Sequence, residues 1–593
     1  MATRIRSDQN ILGLSIKNNQ QRPFKISQLA DDTTLFLKSK QDIKKALNII
    51  ETFGSLSRLI LNREKTKGLR LGNQRKIEDE FEDITWTDEI IKALGVHFCL
   101  NHKKMLEMNW NEKIEKMKKI INNWKRRKLT MIGRVQIVKS LLLPQLTFLM
   151  SMLHIDQNTI KQVEKIIYNY IWEGKTEKVK RNTMIKPYIE GGLNSIDIRS
   201  HIDTVRINWL KKLETEDKAL WKVIPQFEIN KFGSKYLICK MNLDNLKNLP
   251  ISENISPFYY EILSTWMKLK KSNEPKKYNE ILAQIIWGNK YIKLKGKTLL
   301  FKNWIDSGII TIKDLLQNNN NLDENNIYRK LIRKCNWLSE ISMFKKAIPK
   351  IWLRKIEESD VDLQNFTARI KNQLMLKFPK QEPIKIEKCT NQKIYKHIVS
   401  MKSEKPIAHL YWENKLNLSD ISITVKCSNE FIFKHLQNNK LKEFKWKFLN
   451  KIIPTREILH KWKISKSPNC NYCKVKEDYE HYFIKCEYLQ VLSNRLKQIF
   501  ETLGYKKDML TLKNLVIGYK IEYPKYNEIN HLLTVIGYSI YKSYYISISY
   551  WRNIPHNILQ VIAINKAKII SIIMYILYNQ IYTLIYFFKR KHT

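Results

Sequence analysis

The chain has 593 residues, 43% of them hydrophobic, which is enough for several cores of ordinary domain size. Its 105 Lys and Arg outnumber 57 Asp and Glu for a net charge of +48, so the expected partner is a polyanion, nucleic acid first and an acidic membrane face second. Eight cysteines in this length exclude a disulfide-stapled secreted scaffold, and 16 glycines leave little room for a phosphate-cradling loop.

Residues Met1 to Gln20 are polar and charged and carry no apolar core of a secretory signal. Lys25 to Ala30 alternates polar and apolar residues, and Thr34 to Leu37 is again strand-like, so Asp31 and Asp32 are predicted at the tip of a β-hairpin. Two adjacent carboxylates repel each other and are most comfortable around a divalent cation, the arrangement used in phosphoryl transfer. The bland alternative is an acidic turn without metal. Ser39 to Asp42 then reads as a capping box opening a helix with Ile43, Leu47 and Ile50 on its apolar side, closed at Gly54. Further on stand Leu61-Asn62-Arg63-Glu64-Lys65-Thr66 and Ala93-Leu94-Gly95-Val96.

From Asn101 to Met150 there are twelve Lys and Arg against three Asp and Glu. Trp110, Ile114, Met117, Ile121 and Trp124 recur at spacings of four and three and define one apolar helix face. Lys113, Lys116, Lys119, Arg126 and Arg127 lie off that stripe, and Arg134 and Lys139 follow. A basic outer face of this kind suits a duplex backbone, although an ordinary solvated helix face has the same pattern.

These segments together resemble the reverse transcriptases of LINE-type (non-LTR) retrotransposons. Leu29-Ala30-Asp31-Asp32 is similar to the palm hairpin, and Asn62-x-x-Lys65-Thr66 to the next palm motif. Ala93-Leu94-Gly95-Val96 is similar to the hairpin that holds the primer end. Trp124, Leu129 to Arg134, Val138 to Ser140, Leu143-Pro144, Tyr170 to Lys175, Ile185 to Pro187 and Gly191-Gly192-Leu193 resemble the thumb signature, in order. The resemblance implies that Asp31 and Asp32 ligate Mg²⁺, that Lys65 lies near the incoming triphosphate, and that Leu94 and Gly95 form a primer grip. It assigns Lys113, Lys116, Lys119, Arg126, Arg127, Arg134 and Lys139 to nucleic-acid contact, with element RNA as template and DNA as target.

Residues 216–400 are helical in texture and offer no chemistry of their own. Trp304 to Ile309 and Thr311 to Leu315 read as two short helices around a turn and resemble a recurrent LINE segment, while Gln317 to Asn321 and Pro379 to Pro383 read as loops. Cys470-x2-Cys473-x7-His481-x4-Cys486 has the ligand types and short loop spacings of a closed tetrahedral Zn²⁺ site. Phe444 to Leu449 and Pro454 to Leu459, which precede it, resemble the approach to the LINE zinc-binding region. Tyr472 and Tyr482 are candidates for base stacking, and Lys474, Lys476 and Lys485 for phosphate contact, or else a solvated rim. No restriction-like endonuclease constellation follows Cys486.

The apolar run Ile569 to Phe588, followed by Lys589, Arg590 and Lys591, is long enough for a bilayer but is broken by Asn579 and Gln580. It leaves a tail-anchored basic membrane protein as an alternative reading. The expected fold is mainly α with a small α+β element. It divides into a partial palm (1–100), a thumb-like helical domain (101–215), a helical connecting region (216–400), a zinc-binding region (401–500) and a helical tail (501–593). The family's palm has a further metal-binding Asp on an upstream strand and fingers over the nucleotide. Only Asp8 offers a carboxylate before Asp31, so the chain alone is expected to bind RNA and DNA in a reducing intracellular setting, nucleus and cytoplasm, without polymerising.

Overall fold

The structure, a computed structural model, describes residues 1–552 except 17–18, 77–80, 216–218, 234, 244, 250–254, 271–273, 317–322, 332–336, 359–373, 419–421, 491–493, 495–496, 498–500, 502–508 and 520–524. The apolar run Ile569 to Phe588 and the loop Gln317 to Asn321 lie outside the described residues. Among these residues the fold is mainly helical, with six two-stranded sheets. Two compact units are each assembled from three stretches of chain: 1–116 with 145–161 and 198–398, and 117–144 with 162–197 and 399–593.

The first unit begins with a helix, Ala2–Ser7, that the polar N-terminus did not announce; it buries Ile5 against Ile11 and Ala46. The strands Ile26–Leu29 and Asp32–Leu35 pair antiparallel with Leu29 opposite Asp32, so the two-residue turn is Ala30-Asp31. Ala30 takes a left-handed φ of 54°, as the primed turns of tight hairpins require. The helix Lys40–Ser57 opens on the expected capping box: Ser39 accepts from the Asp42 amide, and the buried Asp42 carboxylate accepts from the amides of Ser39 (3.0 Å) and Leu12 (2.7 Å). Gly54 does not close this helix. It lies inside the last turn, where the returning Leu59 carbonyl would meet a Cβ at 2.5 Å, so the glycine answers a close approach and Arg58 makes the left-handed cap.

The remainder of this unit is a core stitched by tryptophans. Trp266, Trp287, Trp304 and Trp352 are almost wholly buried. Indole N–H groups at that depth need acceptors. Trp266 donates to Cys239 O at 2.7 Å, Trp287 to Ile309 O at 2.7 Å and Trp304 to Glu340 Oε2 at 2.6 Å. The two short helices around Gly308 are present as Lys302–Asp306 and Ile312–Leu315, the second opened by a Thr311/Asp314 capping box. Pro379 to Pro383 forms the turn of a short hairpin, Met375–Leu376 with Ile384–Lys385.

The second unit gathers an aromatic core from Trp412, Phe444, Phe448, Tyr479 and Phe483, joined by Ile529, Leu533, Ile536 and Ile540 of the helix Lys525–Arg552. The helical run Met131–Met152 is long and apolar enough to cross a membrane, by length and composition only. Its Met131, Val135, Val138, Leu142, Leu146 and Leu149 are buried in protein, as in a core helix.

Candidate metal centre and nucleic-acid interface

Cys470 and Cys473 stand on a tight knuckle. The Cys470 amide donates to Val475 O at 2.8 Å, the Lys474 amide to Cys470 O at 3.1 Å, and Lys474 takes a left-handed φ of 60° that turns the chain back. The other two candidate ligands flank a π turn, His481–Lys485, in which the Cys486 amide donates to His481 O at 2.9 Å. A π turn closes over five residues rather than four. Side chains five apart, His481 and Cys486, therefore come to one face, which an α-helix would not achieve. The Asp478 carboxylate accepts from the His481 amide at 2.9 Å and fixes the start of this turn.

All four ligand atoms lie within 4.8 Å of one another, with Cys486 Sγ 3.9 Å from Cys470 Sγ and 3.7 Å from Cys473 Sγ. The Cys470 thiol is held well below the ordinary range by its contact with Cys486, against the cost of burial and with help from the Cys473 and Tyr472 amides. His481 Nε2 is buried among the sulfurs with no oxygen or nitrogen partner. Three thiolates and an imidazole with an orphaned nitrogen fit a tetrahedral Zn²⁺ ion.

The knuckle's neighbours are largely engaged. Tyr482 is 4% exposed and packs on Phe483, so it has no face for a base; the stacking expected of it is corrected by its burial. Tyr472 is half-buried against the aromatic core. Lys476 pairs with Glu457 at 3.2 Å and Lys485 with Glu480 at 2.8 Å, while Lys474 is exposed.

Asp31 and Asp32 are both exposed at the tip of their hairpin, and among the described residues no third carboxylate joins them. The carboxylate of Asp8 instead accepts from the Asn10 amide at 2.8 Å. Lys65 is exposed on a turn closed by Asn62, whose side chain accepts the Lys65 amide at 3.0 Å. Leu94 and Gly95, with φ of 49° and 76°, form the two-residue turn between the strands Ile90–Ala93 and Val96–Cys99. The buried Asn109 ties that hairpin to the following helix, accepting from the His97 amide (2.9 Å) and donating to His97 O and Met105 O (both 2.8 Å). Glu112 binds Lys92 at 2.8 Å and His97 at 2.7 Å, and these two hydrogen bonds pull its carboxyl down to about 2.

The helix His102–Lys125 buries the expected stripe Trp110, Ile114, Met117 and Ile121. Lys116 and Lys119 are exposed on it, whereas Lys113 is half-buried beside Glu112 at 3.4 Å. The helix stops at Lys125, so Arg126 and Arg127 lie beyond it, on an exposed turn with Lys128, where Arg127 covers the Trp124 ring at 4.6 Å. Arg134 corrects the sequence expectation. It is 6% exposed, and its guanidinium donates to Ile171 O (2.8 Å), Leu129 O (2.7 Å) and Glu173, leaving a scaffold residue rather than a phosphate contact. Lys139 is half-buried, and burial pulls its pKa below the usual lysine range.

Residues 390–492 match the family described as zinc-binding in reverse transcriptase. Over 268 residues the chain is 25% identical to the transposon TX1 uncharacterized 149 kDa protein of Xenopus laevis. Residues 390–492 are thus similar to the zinc-binding region of reverse transcriptases, and the chain is related to a transposon protein. The alignment covers 43% of this chain and 20% of the Xenopus protein, so the chain spans a minor part of that relative's length.

In this matched region, the helix Asn439–Leu449, and the helix Ser422–His435 before it, also reach elements far back in the sequence. Trp446 Nε1 donates to Gly191 O at 2.9 Å, Glu443 Oε2 accepts the Met131 amide at 2.8 Å, and Tyr188 stacks on Phe433 at 4.0 Å. The Gly191-Gly192 pair is required here: Gly191 has a φ of 84°, and a Cβ on Gly192 would lie 2.0 Å from Lys186 O. Trp446 belongs to a recognisable motif, but Glu443 carried no sequence signal.

Proposed function

We propose that this chain is the thumb and zinc-bearing C-terminal part of a non-LTR retrotransposon reverse transcriptase, and that it grips RNA and DNA through the basic residues Lys116, Lys119, Arg126 and Arg127. The observation that carries this reading is a Cys3His cluster, inside a region matching the reverse-transcriptase zinc family, in one compact unit with Met117–Pro144. The palm hairpin supplies two carboxylates, Asp31 and Asp32, which hold Mg²⁺ only once further palm residues complete the set. Lys65 then lies near the triphosphate and the Leu94-Gly95 turn near the primer end. The substrates in this reading are an element RNA template and its target DNA. A reducing setting such as nucleus and cytoplasm suits it, because thiolate ligands are prone to oxidation in secretory compartments.

Binding should be governed by phosphate contacts with little sequence preference. Affinity for a single-stranded RNA should fall steeply between low and moderate salt, by roughly 10-fold or more over a fourfold rise in salt. Charge reversal at Arg126 and Arg127 should weaken binding and flatten the slope of log affinity against log salt by about 1.4 for the two lost contacts to a single strand. A salt-independent affinity, measured by fluorescence anisotropy, would refute the reading.

A further inference from the structure

The exposed turn Arg126–Lys128 is bounded by a helix whose start is held from outside. Helix Met131–Ile137 takes Thr130 as its N-cap, with the Thr130 hydroxyl accepting from the Gly133 amide at 3.2 Å. The next open donor, the Met131 amide, is accepted by Glu443, 312 residues away in sequence. Glu443 itself is anchored by Lys447 at 2.6 Å, one turn along its own helix. Arg134 closes the same turn from the other side through Leu129 O.

The helix that carries Glu443 is in turn seated by residues between the zinc ligands. Tyr479, between Cys473 and His481, accepts the Ile453 amide on its hydroxyl at 2.8 Å and packs its ring on Phe448 (5.3 Å) and Trp412 (5.5 Å). Phe483, between His481 and Cys486, packs on Phe448 at 5.0 Å and Phe444 at 6.3 Å. The buried Glu477 accepts the Arg456 amide at 2.7 Å, which fixes the chain leaving that helix. These contacts run without a break from the ligand loop, through Phe444 and Phe448, to Glu443 and Trp446 on the same helix.

We propose that Glu443 is a positioning residue through which the Cys3His zinc centre holds the basic turn Arg126–Lys128 in the conformation that meets nucleic acid. This rests on the nucleic-acid-binding role proposed above. The zinc module then acts on binding by holding the thumb.

The full chain, loaded with zinc, is measured for zinc content, for backbone hydrogen exchange over Met131–Ile137, and for affinity toward a single-stranded RNA at fixed salt. Glu443→Leu is expected to keep its zinc, to speed exchange at the start of that helix, and to weaken RNA binding by about 10-fold, the scale of one or two lost phosphate contacts. Glu443→Gln, which keeps an acceptor oxygen, is expected to rescue both readouts in large part. Removing zinc with a chelator should reproduce the faster exchange, and Lys474→Glu should leave exchange unchanged. Wild-type exchange over Met131–Ile137 in Glu443→Leu, or after zinc removal, overturns the inference whatever the RNA result. Absent RNA affinity in the zinc-loaded wild type, with exchange still coupled to zinc, sinks the binding role instead and overturns the part of the inference that concerns nucleic acid.

Discussion

The wild type is expected to carry a single equivalent of Zn²⁺, and Cys473→Ser is expected to lose it and to melt the unit that contains it at a lower temperature. Cys473 is the half-exposed member of the cluster, so serine is accommodated sterically and the loss falls on metal binding. In small zinc-finger peptides structural zinc supplies roughly 10–16 kcal/mol of apparent binding free energy, which is folding free energy there. Here the surrounding region also buries an aromatic core around Trp412, Phe448 and Tyr479, so only part of that is expected to be at stake. A loss of about 3–5 kcal/mol, or about 10 °C in Tm, is the expected scale. Zinc retention should also fail on acidification, because protons compete for the thiolates and for the imidazole. Metal analysis of freshly purified, reduced protein finding no zinc, or an unchanged melt in Cys473→Ser, would contradict this.

Lys445→Met is expected to stabilise the protein. Lys445 is buried in the helix Asn439–Leu449, its ammonium donating to Leu515 O and lying 5.7 Å from the Phe448 ring, and burial pushes its pKa down to about 7. An unfolded lysine titrates near about 10.4. Between those values the unfolded chain binds a proton that the folded chain does not, so this residue makes stability rise with pH from about 7 to about 10. Below about 7 the penalty for charging a buried amine is present in full. Methionine removes the penalty at the cost of one hydrogen bond, for a net gain of about 3 kcal/mol at neutral pH that shrinks toward pH 10. The check is denaturant unfolding of both proteins from pH 7 to 10. A variant less stable than wild type throughout, or a difference that does not change with pH, would contradict the assignment.

How much of this was legible in the sequence depended on the range of the interaction. The Cys3His spacing and the Asp31-Asp32 hairpin are local patterns, set by ligand chemistry and by strand alternation across a short turn, and both stand in the structure as hairpin and cluster. The apolar stripe of helix His102–Lys125 was equally plain, because its period is that of the helix itself. Arg134 was misread because burial of its guanidinium depends on the carbonyls of Ile171 and Leu129, which no periodicity announces. Gly54 looked like a helix stop; its real reason is the returning Leu59 carbonyl. Tyr482 looked available for stacking until the π turn placed its ring inside the core. Glu443 was invisible because its partner, the Met131 amide, is more than three hundred residues away.

The most direct test of the account places the zinc-loaded 593-residue chain with an RNA template annealed to a DNA primer, deoxynucleotides and Mg²⁺, and resolves complex and product together. The hairpin presents Asp31 and Asp32 to solvent, and in the proposed reading they hold the metal geometry on which phosphoryl transfer depends only when further palm residues complete the set. The expected result is a hybrid retained by the protein at low salt, released as salt rises, with its primer unextended. A hybrid that is never retained, or a primer lengthened by the chain alone and no longer lengthened in Asp31→Ala, would contradict it.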